Sequence, residues 1–267
     1  MDREETPLHG GNLNVVVRVG DTVRRSPRPW SPAVQGLLRH LEVRGFDGAP
    51  RFLGIDAQGR EILSFIPGEV GSYPLPPYMW SDATLVEAAR LLRRFHDATA
   101  GYVPLPGVTW QLVYPGAGRH EVICHNDVAP YNMVFAEGRP YALIDFDTAG
   151  PGPRIWDIAY AVYTFVPLAS FAPRVDGSTA PYEVASHAAE RARRLRLFCH
   201  AYGSQPTEEL LQTVERRLDA LCSTVIEGAA AGDAGYQHLI DTGHLDHYRR
   251  EIAFLQRHAS DWKSSIR

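Results

Sequence analysis

The hydrophobic period of this chain changes at Pro67-Gly68. Before that point, apolar residues come in short runs broken by turn residues. Residues 15–19 meet Gly20-Asp21, a tight turn into Thr22-Val23-Arg24-Arg25, which is the pattern of a hairpin. Residues 51–55 and 61–66 flank the turn at 56–59 in the same way. Between the hairpins, Ser31-Pro32 reads as an N-cap and first helical position. Val34, Leu37, Leu38 and Leu41 then share one helical face, and Gly45 can stop the helix. After Pro67-Gly68 and the proline-rich stretch to Pro77, the period becomes helical. Ser81 is the expected N-cap of a helix with an apolar stripe of Leu85, Ala88, Ala89, Leu92, Phe95 and Thr99. Further helices are expected over 156–165, 182–202, 207–230 and 236–261, with short strands at 121–124, 133–135 and 141–144. Such a chain is α+β: a small, mostly antiparallel sheet with one helix over residues 1–67, then a larger, mainly helical part over residues 68–267.

Composition removes several classes of function. Lys263 is the sole lysine, so the remaining basic residues of the 27 Lys+Arg are arginines. Schiff-base chemistry on a buried lysine and a GK[ST] phosphate loop are both excluded. A net charge of -4 argues against a general nucleic-acid binder. No apolar run approaches the ~20 residues of a membrane-spanning helix, and the acidic N-terminus does not resemble a signal peptide. Cys124, Cys199 and Cys222 are odd in number and scattered, which suits a reducing cytoplasm. The cluster Arg191, Arg193, Arg194 and Arg196 is expected to be a solvated helix face.

The chemistry-bearing residues lie between two strands. His125, Asn126 and Asp127 leave the first strand, Asn132 follows Asp127 by five residues, and Asp145 follows Asn132 by thirteen. Phosphoryl transfer needs such a set. Mg²⁺ is a hard ion that takes oxygen ligands, which one carboxylate and one amide can supply. A separate carboxylate must orient the acceptor hydroxyl and take its proton. Asn132 and Asp145 suit the first task, and Asp127 suits the second.

These residues carry a resemblance. His125-Asn126-Asp127 with Asn132 fits the kinase pattern H-x-D-x-x-x-x-N, and Asp145-Phe146-Asp147 stands where protein kinases have D-F-G. Together with Trp156-Asp157-Ile158-Ala159, they resemble the aminoglycoside phosphotransferase family. The resemblance implies a two-lobed protein-kinase-like fold and transfer of a phosphoryl group from ATP or GTP, with Mg²⁺, to a hydroxyl of a small molecule such as an antibiotic. It implies Asp127 as catalytic base, Asn132 and Asp145 as metal ligands, and Asp157 as a structural acceptor for the catalytic-loop backbone. It also implies a hinge at Ser64-Phe65-Ile66, where the backbone at Ser64 and Ile66 would meet the base, and a phosphate-covering loop at Gly10-Gly11-Asn12. His125 reads as architectural. The expected partners are a nucleoside triphosphate and a hydroxyl-bearing substrate, without nucleic acid or membrane.

One departure stands out. The family pattern pairs a lysine on the third strand with a glutamate on the following helix. Here the strand reads Thr22-Val23-Arg24-Arg25, and residues 31–40 contain no acid. A guanidinium can bind phosphate instead, and strand alternation turns only one of the two arginines inward. Arg24 is the one expected, with no group in view to hold it. The alternative reading is a degenerate kinase fold that binds nucleotide or ligand without turnover. Asp147 reads equally as a further metal-site carboxylate or a solvated turn residue. His238, His244 and His247 read as a solvated helix face, and Cys124 as packing. Tyr160, Tyr163 and Phe165 suit either a cleft or the core.

Overall fold

The computed structural model describes residues 5–8, 16–117 and 120–263. Strands β1 (Thr6–Leu8), β2 (Val16–Val19) and β3 (Thr22–Arg25) run antiparallel in succession. Gly20 makes the β2–β3 turn at a φ of 61°, a value that costs glycine little. Helix α1 (Ser31–Val43) buries Leu37, Leu38 and Leu41. Trp30, not Ser31, holds its N-cap position, and the Ser31 hydroxyl accepts from the Arg28 N–H at 2.9 Å. Strands β4 (Phe52–Ile55) and β5 (Glu61–Ser64) complete a five-stranded sheet in the order β1-β2-β3-β5-β4. In the β3–β5 register, Arg25 stands opposite Glu61 and Arg24 opposite Ile62.

The remainder is built around helices. After β6 (Glu69–Val70), the Ser81 side chain caps α2 (Asp82–Thr99) by accepting from the Thr84 N–H. The expected stripe from Leu85 to Thr99 is buried. Three short strands then frame the catalytic segment: β7 (Val122–Cys124), β8 (Met133–Ala136) and β9 (Arg139–Leu143). β8 pairs with both β9 and β6. β7 pairs with β10 (Gly150–Gly152), a strand the hydrophobic pattern hides because it consists of Gly, Pro and Gly. Gly150 is needed there, since a Cβ would lie 1.8 Å from the Leu112 carbonyl oxygen.

Helix α3 (Arg154–Phe165) is buried along most of its length and is followed by the hairpin β11 (Phe171–Pro173) and β12 (Thr179–Pro181). Helices α4 (Val184–Tyr202), α5 (Glu208–Ala230), α6 (Ala234–Asp241) and α7 (His244–Lys263) complete the chain. The single helix expected over 236–261 is two. Gly243 adopts a φ of 81° and ends the first of them. His247 meets the Tyr163 hydroxyl at 3.4 Å, and no group of His, Cys, Asp and Glu among the described residues is arranged to hold a metal.

The arginine cluster of α4 is not a solvated face. Arg191 and Arg194 are 3% and 7% exposed. Arg191 donates to the carbonyls of Ala169 and Phe171, and Arg194 to those of Val166, Trp80 and Phe165. The chain after α3 leaves carbonyls unpaired inside the protein, and the two guanidinium groups satisfy them. Arg193 does face outward, toward Asp82 and Glu190. No helix among the described residues is long and apolar enough to cross a membrane.

Candidate active site

Asp157 anchors the catalytic loop from below. It lies in the first turn of α3, is fully buried, and accepts from the backbone N–H groups of His125 (2.7 Å) and Asn126 (2.8 Å). His96 of α2 adds a third bond, Nε2 to Oδ2 at 3.0 Å. The carboxylate can only accept, so Nε2 carries the proton, and the Tyr202 hydroxyl donates to Nδ1 at 2.7 Å. Burial alone would raise the Asp157 pKa, but these bonds outweigh it and hold the carboxyl below its ordinary value.

Asn126 takes a left-handed φ of 65°. That strained backbone is over-determined. Its side chain donates to the Thr148 carbonyl at 2.9 Å, its N–H is held by Asp157, and its own carbonyl accepts from Arg217. His125 is architectural. Its Nε2 donates to the Ile144 carbonyl at 3.0 Å, and burial lowers its pKa, keeping the imidazole neutral. It ties the loop to the chain just before Asp145.

Above this base, Asp127 is half-buried and has both oxygens engaged. Tyr131 donates its hydroxyl to Oδ1 at 2.7 Å, and Asn132 donates its amide nitrogen to Oδ2 at 2.7 Å. The Asn132 amide thus turns its donor end to Asp127. The Tyr131 proton is committed to a carboxylate, so Tyr160 is the donor in the 2.9 Å contact between their hydroxyls. Burial raises both phenol pKa values well above the ordinary range.

Asp145 follows β9 at a left-handed φ of 61°. The Asn132 carbonyl accepts from the Ile144 N–H at 3.0 Å, which brings the two expected metal residues to one corner. Asp145 is exposed to solvent, yet protein groups crowd around its carboxyl. Desolvation, then the charge of Asp147, raises its pKa to about 6, with Asp127 adding and Arg25 opposing. Carboxylates that repel one another here are a suitable place for a divalent cation. The donors present are carboxylate and amide oxygens, which fit Mg²⁺ completed by water and phosphate oxygens.

Of the two arginines, Arg25 faces this corner, and the expectation for Arg24 is corrected. Thr22 and Arg24 share one face of β3, and the Arg24 guanidinium donates to the Thr22 hydroxyl at 2.7 Å and lies 3.5 Å from Asp56. Arg25, on the opposite face, is buried and reaches Glu61 at 2.8 Å and Asp147 at 2.7 Å. Burial would lower its pKa, but Asp147, Glu61 and Asp145 outweigh that and raise it. The expectation that nothing holds the arginine is also corrected, because Glu61 does so. Asp147 is not a solvated turn residue, being buried against Arg25.

At the expected hinge, Ser64 is tied into the sheet by a two-way contact with Arg51, its N–H donating at 2.9 Å and its hydroxyl accepting at 2.8 Å. Ile66 lies beyond the end of β5. Gly10, Gly11 and Asn12 fall outside the described residues.

Comparison with known proteins agrees with this geometry. The family model described as APH, phosphotransferase enzyme family, matches residues 108–195, the span that contains Asp127, Asn132, Asp145 and Asp157. A trifolitoxin immunity protein of Rhizobium leguminosarum bv. trifolii is 37% identical over 205 residues, covering 75% of this chain and 74% of the relative. The chain belongs to the APH phosphotransferase family. The fold is the kinase-like one of that family. A choline/ethanolamine kinase family protein from Mesorhizobium loti superposes with a TM-score of 0.60 at 16% identity, covering 100% of this chain and 93% of the other. The ternary complex of APH(2")-IIa with streptomycin and ATP does so with 0.52 at 12%, covering 94% and 93%.

Within the APH family pattern, sequence reasoning missed Glu61, Gln35, Tyr131 and Arg217. Glu61 was legible only through the β3–β5 register, a long-range pairing. Tyr131 sits inside the motif, one residue before Asn132, and its position alone was the available signal. Arg217 comes from α5, 91 residues from the Asn126 carbonyl it meets, and no local pattern marks it.

Proposed function

We propose that this APH-family protein transfers the γ-phosphoryl group of ATP or GTP to a hydroxyl of a small molecule. In this reading, residues 1–67 form the nucleotide lobe and residues 68–267 carry the catalytic loop and the acceptor site. The supporting observation is Asn132, whose side-chain nitrogen donates to Asp127 while its main-chain carbonyl accepts from the Ile144 N–H beside Asp145. Asp127 orients the acceptor hydroxyl and takes its proton. Asn132 and Asp145 hold Mg²⁺, which when bound offsets charge on the phosphates. Arg25 contacts the phosphates, and the backbone near Ser64 and Ile66 meets the base. Most of the rate comes from positioning and electrostatics.

The relative's name, trifolitoxin immunity protein, supports a role in protection from a toxic compound, with a hydroxyl-bearing toxin or antibiotic as acceptor. The test is nucleotide consumption with Mg²⁺ and ATP or GTP against a panel of hydroxyl-bearing antibiotics and toxins. Phosphorylated product that disappears in Asp127→Ala supports the reading. Triphosphate hydrolysis or transfer undiminished in that variant would sink the role of Asp127.

A second reading, binding without turnover, draws on Asp127 having both oxygens occupied by Tyr131 and Asn132. It predicts stabilisation by Mg²⁺ and a triphosphate with no product from any acceptor.

A further inference from the structure

Arg25 and Glu61 are direct cross-strand neighbours on β3 and β5, so their side chains leave the sheet on one face. Glu61 is 1% exposed, and its two oxygens are divided. Oε2 accepts from Arg25 Nε at 2.8 Å, and Oε1 accepts from the Gln35 amide nitrogen of α1 at 2.8 Å. The arginine's other contact is with Asp147, on the loop beside Asp145. In the family pattern, the helix would supply a carboxylate to a lysine. In this chain the carboxylate stands on the neighbouring strand, and the helix supplies a neutral amide.

We propose that Glu61 is the positioning residue for a phosphate-binding Arg25, with Gln35 fixing Glu61, so that the phosphate clamp is built within the sheet. The proposal rests on the phosphotransferase reading. A free arginine side chain loses rotamer entropy when it is ordered, and a contact with phosphate must overcome that unless the side chain is already fixed. Glu61 fixes it from the Nε side, which aims the end of the guanidinium at the Asp145–Asp147 loop where Asp147 now meets it. A lysine at position 25 would have one nitrogen to divide between Glu61 and a phosphate. An arginine can hold both with different nitrogens. The pair of substitutions is therefore internally consistent: moving the acid from helix to strand places it beside Nε, and only arginine has an Nε to give it.

The test separates the phosphate end of the nucleotide from its base end. Binding of ATP, GTP and adenosine is measured by calorimetry, with Mg²⁺, for the wild type, Arg25→Met, Glu61→Gln and the exchanged pair Gln35→Glu with Glu61→Gln. Arg25→Met and Glu61→Gln are expected to weaken triphosphate binding about tenfold or more, the range of a lost charge-assisted contact, and to leave adenosine binding unchanged. The exchanged pair keeps one carboxylate in the cluster, now on the residue that hydrogen-bonds position 61, and is expected to recover part of the loss, which also covers the case of Glu61→Gln failing to fold. Triphosphate binding within about twofold of wild type in Arg25→Met would overturn the clamp while leaving the phosphotransferase reading intact. Loss of adenosine and triphosphate binding together in a folded Glu61→Gln would show a purely architectural role and also overturn it. A wild type that binds no triphosphate overturns the functional reading and the clamp with it.

Discussion

Asn132 gives its amide nitrogen to both the main-chain carbonyl and the carboxylate of Asp127, at 3.0 and 2.7 Å. One side chain thus aims the proposed base and offers its other end to the proposed metal. Replacing Asn132 with Ala removes both functions and, because Asn132 is buried, leaves the Asp127 acceptors without this donor. Turnover is expected to fall by about 10² or more, comparable to losing a preorganised polar contact to the reacting groups. The thermal midpoint without ligand should fall modestly, as expected for losing a buried hydrogen-bonding side chain. Steady-state kinetics checks this, and near-normal turnover would detach Asn132 from the chemistry.

Tyr131 is the second partner of Asp127. Its hydroxyl proton goes to Oδ1, and Tyr160 backs it by donating to its oxygen. A chain of donors pointing one way strengthens each bond. Tyr131→Phe keeps the ring and deletes the contact. The expected outcome is a kcat lower by about tenfold with nucleotide KM little changed, because the lost bond orients the base and does not touch the nucleotide. An equal rise in KM with unchanged kcat would place Tyr131 in nucleotide binding instead.

The residues that were legible in advance share a property: their meaning is local. Asp127 and Asn132 lie on the loop between β7 and β8, and Asp145 follows the β8–β9 hairpin that returns the chain to Asn132, all within nineteen residues. Ser81 announces α2 for the same reason, since a cap acts within one turn. Arg25 was misassigned because strand alternation says that one of two adjacent arginines points inward, and only the β3–β5 pairing says which. The buried arginines of α4 mislead in another way. Their spacing looks amphipathic, but the backbone carbonyls they satisfy at 165–171 carry no side-chain signature. β10 was hidden because two of its three residues are glycine, Gly150 for close approach to Leu112 and Gly152 for close approach to Cys124, rather than for strand propensity.

Asp145 gives the site a pH signature of its own. Its carboxyl ordinarily titrates at 3.8 and is pushed up to about 6 in the folded protein. The folded state therefore holds this proton more tightly than the unfolded chain. That contribution is complete below the unfolded value and is lost as pH rises through 6. Asp145→Asn removes the titration. Without divalent cations, the variant should be more stable than wild type above pH 6, by on the order of 1 kcal/mol once solvent access to the carboxylate is allowed for. The two midpoints should converge toward pH 4. The same variant should lose Mg²⁺-dependent turnover. Thermal melts from pH 4 to 8 decide the matter, and a difference that does not change with pH would remove Asp145 as the source.

Asp157 shows the opposite sign. It is fully buried, accepts from the backbone of His125 and Asn126, and takes a third bond from His96. Its carboxyl sits below the usual value, so its contribution is present above the unfolded pKa and is lost as pH falls through the depressed one. Asp157→Asn keeps the size but turns one acceptor into a donor facing N–H groups that also donate. Such a buried mismatch costs about 3 kcal/mol or more. The loop would lose its hold on Asn126, whose left-handed backbone needs that support, and Asp127 follows Asn126 directly. Turnover should therefore fall along with stability. Urea denaturation at pH 7 measures the first and kinetics below the melting range the second. A variant with wild-type stability would show that His96 and the Arg217 contact to the Asn126 carbonyl suffice to hold the loop.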